Sequence, residues 1–442
     1  MKIQLSDHFT YSKLLRYTLP SIVMMVFTSI YGVVDGFFVS NFVGKTPFTA
    51  VNFIYPVLII MGCAGFMFGT GGSALIAKTL GEGRAEEANR VFSLIVYASI
   101  ACGVALGALG VLLIRPIAAA LGAQGRLLED SVTYARIILL AIPAYILQFE
   151  FQCLFATAGK PTLGLVVTVA AGCANMALDA LFVGALRWGL EGAAAATALS
   201  QLVGGVIPLI YFARPNSSLL RLGRTRLDLR ALAKTCANGS SELMSNISGS
   251  LVSMLFNAQL LRYAGEDGVA AYGVLMYVSL VFQAVFIGYS VGTAPVIGYH
   301  YGAQNHGELR SLRRRSTAVI AVFAAVMFAA AQLLARPLSL LFVGYDHDLL
   351  ELTAQAFFIF SFGFLFSGFA VFGSSFFTAL NNGLVSAAIS FLRTLVFQVA
   401  AVLIFPLIWG VDGIWLSIVA AETLAVAVAA AFLWALRKKY HY

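Results

Sequence analysis

The sequence predicts an all-α polytopic membrane protein with twelve transmembrane helices, arranged as two six-helix lobes related by a pseudo-two-fold axis along the membrane normal. Three observations support this prediction. Of the 442 residues, 60% are hydrophobic and 11% are charged, whereas ordinary soluble domains carry about 25% charged residues. Apolar stretches long enough to cross a hydrocarbon core of about 30 Å as helix recur along the chain. The two halves also repeat at a constant offset.

The apolar stretches follow one another between charges, glycines and prolines. The first comes after a mostly polar segment and has no small-residue cleavage pattern behind it, so we expect a retained helix and not a signal peptide. The alternation typical of membrane barrels is missing from the sequence, which favours helices. The predicted spans are residues 14–39, 48–74, 91–114, 132–157, 163–186, 192–213, 237–262, 269–297, 316–335, 353–379, 384–408 and 412–436.

The distribution of Lys and Arg predicts the orientation. If the N-terminus is cytoplasmic, twenty of the 28 Lys and Arg residues lie on that side and seven on the other, with Arg393 inside a span. Such an excess is typical of cytoplasmic loops. We therefore expect a multi-pass protein of the cytoplasmic (inner) membrane with both termini cytoplasmic. The net charge of +8 follows from this topology, and we expect no nucleic-acid partner.

The repeat has an offset of 221 residues. It aligns Gly44 with Gly265, Arg115-Pro116 with Arg336-Pro337, and Gly189 with Gly410. Each copy contains six spans, so both copies enter the membrane in the same direction. The predicted organisation is an N-terminal lobe over residues 1–213, a cytoplasmic linker over 214–236 and a C-terminal lobe over 237–442. Two lobes with a cleft between them suit alternating access.

Six charged residues stand out in the predicted spans. A charge at the centre of a bilayer costs roughly 2.5 to 3.5 kcal/mol on insertion scales, so such residues usually face a partner or a cavity. Five of them are acids and one is a base, which favours a cationic ligand. They are Asp35, Glu150, Asp179, Glu242, Arg393 and Glu422.

A polar set in the N-terminal lobe is the candidate ion site. Depth along the spans places Asp35, Asn175, Asp179 and Thr197 at one level, and their partners at the 221 offset are apolar: Phe256, Val396, Ala400 and Ile418. Desolvation and mutual repulsion favour the neutral form of neighbouring buried carboxyl groups. The set is therefore predicted to bind a proton, or alternatively Na⁺. A helix-packing network without transport chemistry is the competing interpretation.

Other polar residues of the spans are candidates for lining a substrate cavity. Gln201 lies one turn deeper than Thr197, and Glu150 lies in the inner half of its span between two glutamines. Arg393 and Glu422 share a depth at which they can form an intramembrane ion pair. Glu242 follows two serines at the start of the seventh span, where a helix-capping role is the alternative.

Six motifs in order resemble the multidrug and toxic compound extrusion (MATE) transporters. They are Val34–Gly44 (VDGFFVSNFVG), Leu80–Ala88 (LGEGRAEEA), Asn175–Phe182 (NMALDALF), Gly189–Ala194 (GLEGAA), Gly239–Leu243 (GSSEL) and Tyr299–Ala303 (YHYGA). The resemblance covers nearly the whole chain. It implies an antiporter that exports organic cations and other lipophilic compounds in exchange for H⁺ or Na⁺.

The resemblance also assigns residues. The positions of Asp35, Asn175, Asp179 and Thr197 match the N-lobe cation site of one branch of the family, in which the first helix is thought to bend near a proline such as Pro20. Another branch uses carboxylates in the seventh and tenth spans. This chain has none in its predicted tenth span, and only the differently placed Glu242 in the seventh.

Two other functional classes compete with export. A flippase for lipids or lipid-linked precursors has the same two lobes, but a pyrophosphate-bearing substrate calls for a basic cavity, and Arg393 is the one base among these six charged residues. An enzyme is not expected, because no catalytic motif or metal-ligand spacing is found, and the five cysteines are dispersed. We expect no cofactor or metal beyond the coupling ion, and as partners small lipophilic cations and the bilayer. We expect a monomer.

Overall fold

The computed structural model describes residues 3–38, 42, 43, 45–344 and 346–442, and the regular elements within these ranges are all helical. The side chain of Asp35 lies outside the described residues, although its backbone belongs to the first helix. The high share of apolar residues explains the absence of strands from the described ranges, because helices satisfy every backbone polar group within one segment.

The described residues of the N-terminal half form eight α-helices. The second predicted span is divided at Cys63 into two helices, and the fourth bends by 60° at Ala141. The helices are α1 (Tyr11–Phe38), α2 (Lys45–Gly62), α3 (Ala64–Gly81), α4 (Ala85–Ala120), α5 (Gly125–Leu140), α6 (Ile142–Thr157), α7 (Pro161–Asp179, continued by a π-helical turn at Ala180–Ala185) and α8 (Gly189–Ala213).

In the part of the C-terminal half that the structure describes there are seven α-helices. They are α9 (Leu229–Gly302), α10 (His306–Val343), α11 (His347–Phe360), α12 (Phe364–Ala379), α13 (Gly383–Phe391, continued by a π-helical turn at Leu392–Val396), α14 (Phe397–Ile404) and α15 (Pro406–Tyr440). A short 3₁₀ turn at Ser361–Gly363 joins α11 to α12, so the two cross as one span.

Helix α9 accounts for two of the predicted spans. Its 74 residues are too long for one crossing, since a helix rises 1.5 Å per residue and the hydrocarbon core is about 30 Å thick. Gly265 interrupts it with φ 64° and ψ −153°, a conformation that glycine adopts without a Cβ clash. With α9 divided there and α5 and α6 counted together, the described part of the chain makes twelve crossings.

The start of α9 corrects one interpretation of Glu242. The helix begins at Leu229, inside the segment predicted as linker, and its first turn is capped by the Asp228 carboxylate, which accepts hydrogen bonds from the backbone N–H groups of Arg230 and Ala231. Glu242 therefore lies more than three turns inside the helix. The capping alternative for Glu242 was wrong, because the helix extends beyond the apolar segment that predicted its start.

The backbone repeats at the offset read from the sequence. Helix α4 begins at Ala85 and α10 at His306, and both are preceded by a residue with positive φ, Gly83 at 76° and Gln304 at 55°. Gly189 and Gly410 share φ values of 62° and 58°. The two halves therefore adopt the same local conformations at equivalent positions, as duplicated six-helix units do.

The two halves are pressed together at the end of the bundle that carries both termini. A methyl group at Gly81 of α3 would overlap the carbonyl oxygen of Tyr299 in α9, and a methyl group at Gly302 would overlap the carbonyl oxygen of Lys78. Tyr299 is the repeat equivalent of Lys78, so the two contacts are related by the pseudo-two-fold axis. Small residues let the helix backbones approach this closely. The cleft is thus closed at this end.

The segment before α1 is part of that closure. Phe9 is fully buried, and its N–H donates to the Glu308 carboxylate of α10 over 2.9 Å. His8 Nδ1 lies 2.6 Å from the second oxygen of the same carboxylate. The Arg315 guanidinium donates to the Phe9 carbonyl oxygen. The N-terminal segment therefore docks on the C-terminal half.

Candidate functional site

A cavity of about 440 Å³ lies mainly within the C-terminal half of the molecule. Most of its wall comes from α9, α12, α13 and α15, and α3 contributes Phe66, Thr70 and Ser73 from the other half. The cavity therefore touches both copies of the repeat. A pocket of this size, with apolar walls and a few polar groups, is typical of sites for small organic molecules.

Among the described residues, three charged side chains face this cavity. Arg393, in the π-helical turn after α13, donates from Nε to both carboxylate oxygens of Glu422 in α15, over 2.9 and 3.1 Å. The predicted intramembrane pair is confirmed. Glu242 lines the same cavity from α9, and its carboxyl group has no ion pair within the described ranges. Two acids against one base leave the cavity with an excess of acidic groups.

A cluster of hydroxyl groups forms another part of the wall. Ser374 Oγ lies 2.8 Å from Ser386 Oγ and 2.9 Å from Ser390 Oγ, and Thr378 Oγ1 lies 2.7 Å from Ser386 Oγ. Ser374, Thr378 and Ser390 line the cavity. The cluster satisfies its own hydrogen bonds between α12 and α13, so this part of the wall is polar without carrying charge.

Aromatic rings complete the lining. Phe256 stacks on Tyr272 with ring centroids 5.4 Å apart and planes 8° from parallel, and both rings face the cavity with Phe66 and Phe360. Phe256 stands at the repeat equivalent of Asp35. Aromatic faces attract organic cations through their negative quadrupole. The C-terminal half therefore presents a ring where the N-terminal half carries a carboxyl group.

The predicted N-lobe set lies on α1, α7 and α8, and of its described side chains Asn175, Asp179 and Thr197 do not line this cavity. Asn175 and Asp179 are one turn apart on α7, and their side chains are buried, with 1% and 0% exposure. Both atoms of the Asn175 amide lack a hydrogen-bond partner among the described residues. A buried amide in this state is available to a ligand atom, because leaving it unbonded costs free energy.

The lack of a side chain at Gly172 lets α1 pack closely against α7. A Cβ there would lie 2.5 Å from the Phe27 ring and 3.0 Å from the Tyr31 ring. Asp35 follows Tyr31 by one turn and Asn175 follows Gly172 by three residues, so the backbone of Asp35 reaches the level of Asn175. The side chain of Asp35 lies outside the described residues, and its contact with Asp179 stays a prediction.

The remaining candidates of the N-terminal half take different positions. Thr197 is partly buried, and its hydroxyl donates to the Ala193 carbonyl oxygen over 3.1 Å. Gln201 is buried. The Glu150 carboxylate is fully buried and accepts a hydrogen bond from Ser99 of α4. Gln201 and Glu150 are not among the described residues that line the C-terminal cavity.

Pro20 lies inside α1, which is continuous from Tyr11 to Phe38. Its ring removes a backbone N–H, so the carbonyl oxygen of Arg16 has no donor four residues ahead. This position is therefore a weak point at which the helix can bend, although the helix does not break there. The hinge role stays a prediction.

The hydroxyl cluster and the aromatic lining were not predicted from the sequence. The available signal was the spacing of small polar residues: Ser374, Thr378, Ser386 and Ser390 stand four residues apart in pairs within otherwise apolar spans. Apolar helices tolerate single hydroxyls that bond to their own backbone. Only the packing of α12 against α13 shows that these four bond to one another.

The comparisons with known proteins agree with this architecture. The MatE family model matches residues 20–181 and 243–404. The chain is 23% identical over 436 residues to the multidrug export protein MepA of Staphylococcus haemolyticus (strain JCSC1435), covering 97% of this chain and 94% of that protein. It is also 23% identical over 443 residues to MepA of Staphylococcus aureus (strain MSSA476), with the same coverage.

Solved structures show the same fold. A crystal structure of MATE in complex with MaL6 matches with a TM-score of 0.92 at 23% identity, covering 98% of this chain and 97% of that one. The outward-facing conformation of a multidrug resistance MATE family transporter of the MOP superfamily matches with a TM-score of 0.91 at 23% identity, covering 98% and 96%. The family model matches once in each half of the chain, which agrees with the internal repeat.

Proposed function

Because this chain belongs to the MatE family of membrane transporters, we propose that it is a secondary active antiporter that exports lipophilic, mostly cationic drugs or toxic compounds in exchange for H⁺ or Na⁺. The observation that supports the substrate class best is the excess of acidic groups in an aromatic cavity. Relatives over nearly the whole length are multidrug export proteins. We place the protein in the cytoplasmic membrane as a monomer.

The cavity chemistry fits an organic cation. Glu242 supplies an acid without an ion pair within the described ranges, and Phe256 and Tyr272 supply stacked rings at the same cavity. A lipophilic cation gains from both, since its hydrocarbon part contacts the rings and its charge is attracted to the carboxyl group. Arg393 is paired with Glu422, so it offers little to an anionic or pyrophosphate-linked substrate. This favours drug export over the flippase alternative.

Coupling is assigned to the other half. Asp179 and Asn175 are buried on α7, which packs against the C-terminal part of α1. A proton or Na⁺ taken up there from outside would stabilise one packing of α1 against α7. If that packing has low affinity for the drug, ion uptake drives drug release, because an ion shifts the equilibrium only through its different affinity for the two states.

The closed end of the bundle decides from which side of the membrane the cavity is shut off in this conformation. The crossings of Gly81 with Tyr299 and of Gly302 with Lys78 join the halves at the end with both termini. If that end is cytoplasmic, as the Lys and Arg distribution predicts, the drug cavity is shut off from the cytoplasm in this state. Transport then requires the two crossings to open and α1 to change shape near Pro20.

The test is efflux from proteoliposomes that contain the purified protein. We expect tetraphenylphosphonium or ethidium to move against its gradient under an imposed pH or Na⁺ gradient, and to stop when the gradient is collapsed. Anionic dyes of similar size should move more slowly. Preferential transport of the anionic dye would contradict the substrate assignment, and transport that ignores both ion gradients would contradict antiport.

A further inference from the structure

A second cavity, of about 940 Å³, lies at the end of the bundle that carries both termini. It is bounded by the end of α3, the start of α4 and the segment from Arg224 to Lys234 that enters α9. This segment is held against α4, because Thr225 Oγ1 donates to the Arg90 carbonyl oxygen over 2.9 Å and the Gly223 N–H donates to Ser93 Oγ over 3.0 Å. Hydrogen bonds within the fold therefore hold the wall of this cavity in place.

Positive charge dominates this cavity. Of the side chains that the structure describes, seven Lys or Arg line it against three acids. The two glutamates are already engaged, since Glu82 pairs with Lys78 and Arg84, and Glu87 pairs with Arg84. Asp228 is used as the cap of α9. Within the described ranges, four lining cations form no ion pair: Arg224, Arg226, Arg230 and Lys234.

The repeat shows that this charge is specific to one lobe. At the 221 offset, Arg224, Arg226 and Arg230 correspond to Ile3, Leu5 and Phe9 of the N-terminal segment. Leu5 and Phe9 are buried, with 2% and 0% exposure, and they pack in one apolar cluster with Ile3 as a partly buried neighbour. At the equivalent position of the C-terminal half, apolar side chains of the N-terminal segment therefore fill the space. At the second cavity the same space is open and lined by basic residues.

The neighbouring side chains indicate a membrane surface. Leu227 and Leu229 lie between Arg226 and Arg230 in sequence and are 73% and 67% exposed. Two exposed leucines cost free energy in water but are stable against acyl chains. The deeper wall is also apolar, from Leu75, Val91 and Leu94. A soluble phosphate compound would use the cations and leave the leucines in water.

We infer that this cavity binds the phosphate-bearing headgroup of an anionic phospholipid from the leaflet next to the termini, with Arg224, Arg226, Arg230 and Lys234 as its cationic partners. Such a headgroup would connect the segment that leads into α9 with the C-terminal end of α3 and the N-terminal end of α4. It would therefore tie the C-terminal half to the N-terminal half at the closed end of the bundle. Basic pockets at this depth of membrane proteins bind anionic headgroups through the same charge attraction.

The test uses the purified full-length protein in detergent, titrated with short-chain phosphatidylglycerol, short-chain phosphatidylcholine and inorganic phosphate. The variant Arg226→Gln/Arg230→Gln removes two cations whose side chains make no ion pair within the described ranges. The variant Arg310→Gln/Arg314→Gln is the matched control, because it removes the same charge from exposed residues of α10 outside the cavity. Circular dichroism and elution volume check that both variants are folded.

We expect the cavity variant to raise the Kd for phosphatidylglycerol at least about tenfold, since it loses two cations that attract the headgroup, while the control changes the Kd by less than about threefold. Equal weakening by both variants would overturn the inference in favour of a diffuse basic surface. Binding of phosphatidylcholine as tight as phosphatidylglycerol would also overturn it. Inorganic phosphate that binds as tightly as the lipid would show that a free phosphate compound is the ligand and overturn the lipid assignment.

Discussion

The Arg393 guanidinium and the Glu422 carboxylate form an ion pair inside the membrane-spanning region, with Nε 2.9 Å from one oxygen and 3.1 Å from the other. The side chains are 16% and 5% exposed, at the edge of the C-terminal cavity. Removing one partner of a buried pair leaves an uncompensated charge, whereas replacing both with apolar residues is often neutral. The pair can therefore be dissected by single and double substitution.

Glu422→Gln should lower the stability of the protein more than Arg393→Leu/Glu422→Leu does. We expect a loss of about 2 kcal/mol for the single variant, below the roughly 3–5 kcal/mol of fully buried pairs because the guanidinium borders a cavity. Thermal unfolding in detergent measures the difference. A double variant less stable than Glu422→Gln would show that the pair itself stabilises the fold beyond the cost of an unpaired charge.

Asp179→Asn should abolish gradient-driven efflux without preventing membrane insertion, because the amide keeps the shape of the side chain and removes the titratable group. We expect Asp35→Asn to do the same, and the double variant to be little worse than either single one, since two groups that share one ion act as a unit. Efflux from proteoliposomes at matched protein content is the measurement.

The control for this series is Phe256→Leu, at the repeat equivalent of Asp35. It should leave coupling to the ion gradient mostly intact and weaken transport of aromatic cations, because Phe256 stacks on Tyr272 at the C-terminal cavity. Near-normal efflux by both single Asn variants would remove the N-lobe set from the mechanism and direct attention to Glu242 and Glu422.

Gly302→Leu should open the end of the bundle that carries the termini, since even a methyl group there overlaps the Lys78 carbonyl oxygen. Gly273→Leu is the matched control on the same helix, because a Cβ at Gly273 meets no atom within 4 Å. A single reporter cysteine at Ser73, in a background without the five native cysteines, should react faster with a thiol reagent supplied from that end. Equal reaction rates in both variants would mean that this crossing does not gate access.

The orientation can be tested with single cysteines at Ser217 and Asp346. Ser217 lies between α8 and α9, and Asp346 caps α11 at the opposite end of the bundle. An impermeant reagent applied to intact cells should label the Asp346→Cys variant and spare the Ser217→Cys variant. Labelling of the Ser217→Cys variant alone would show that the topology is the reverse of the predicted one.

The sequence predicted the spans and the repeat well because both depend on properties that are local along the chain. The length of an apolar stretch predicts a span. Gly410 has the same backbone conformation as Gly189, its equivalent in the other repeat. The Arg393 and Glu422 pair was predictable from depth alone, since two opposite charges at one level of a bilayer have few other partners.

The C-terminal cavity was less predictable, because it depends on which helix faces pack against each other. Glu242 was interpreted as a possible cap, and nothing in the local sequence shows that the helix continues back to Leu229. Phe256 is one apolar residue among many until Tyr272 stacks on it. The docking of Phe9 on Glu308 joins residues almost three hundred positions apart, and neither segment alone predicts it.

The paired crossings at Gly81 and Gly302 have the form of an isologous contact, in which a surface meets a second copy of itself. Each half offers one small residue and one carbonyl oxygen, and each receives the same pair from the other. An interface of this kind needs no difference between its two sides. It would therefore form equally well between two separate six-helix chains inserted in the same direction, so a single-copy ancestor could have assembled as a parallel homodimer before the halves were joined.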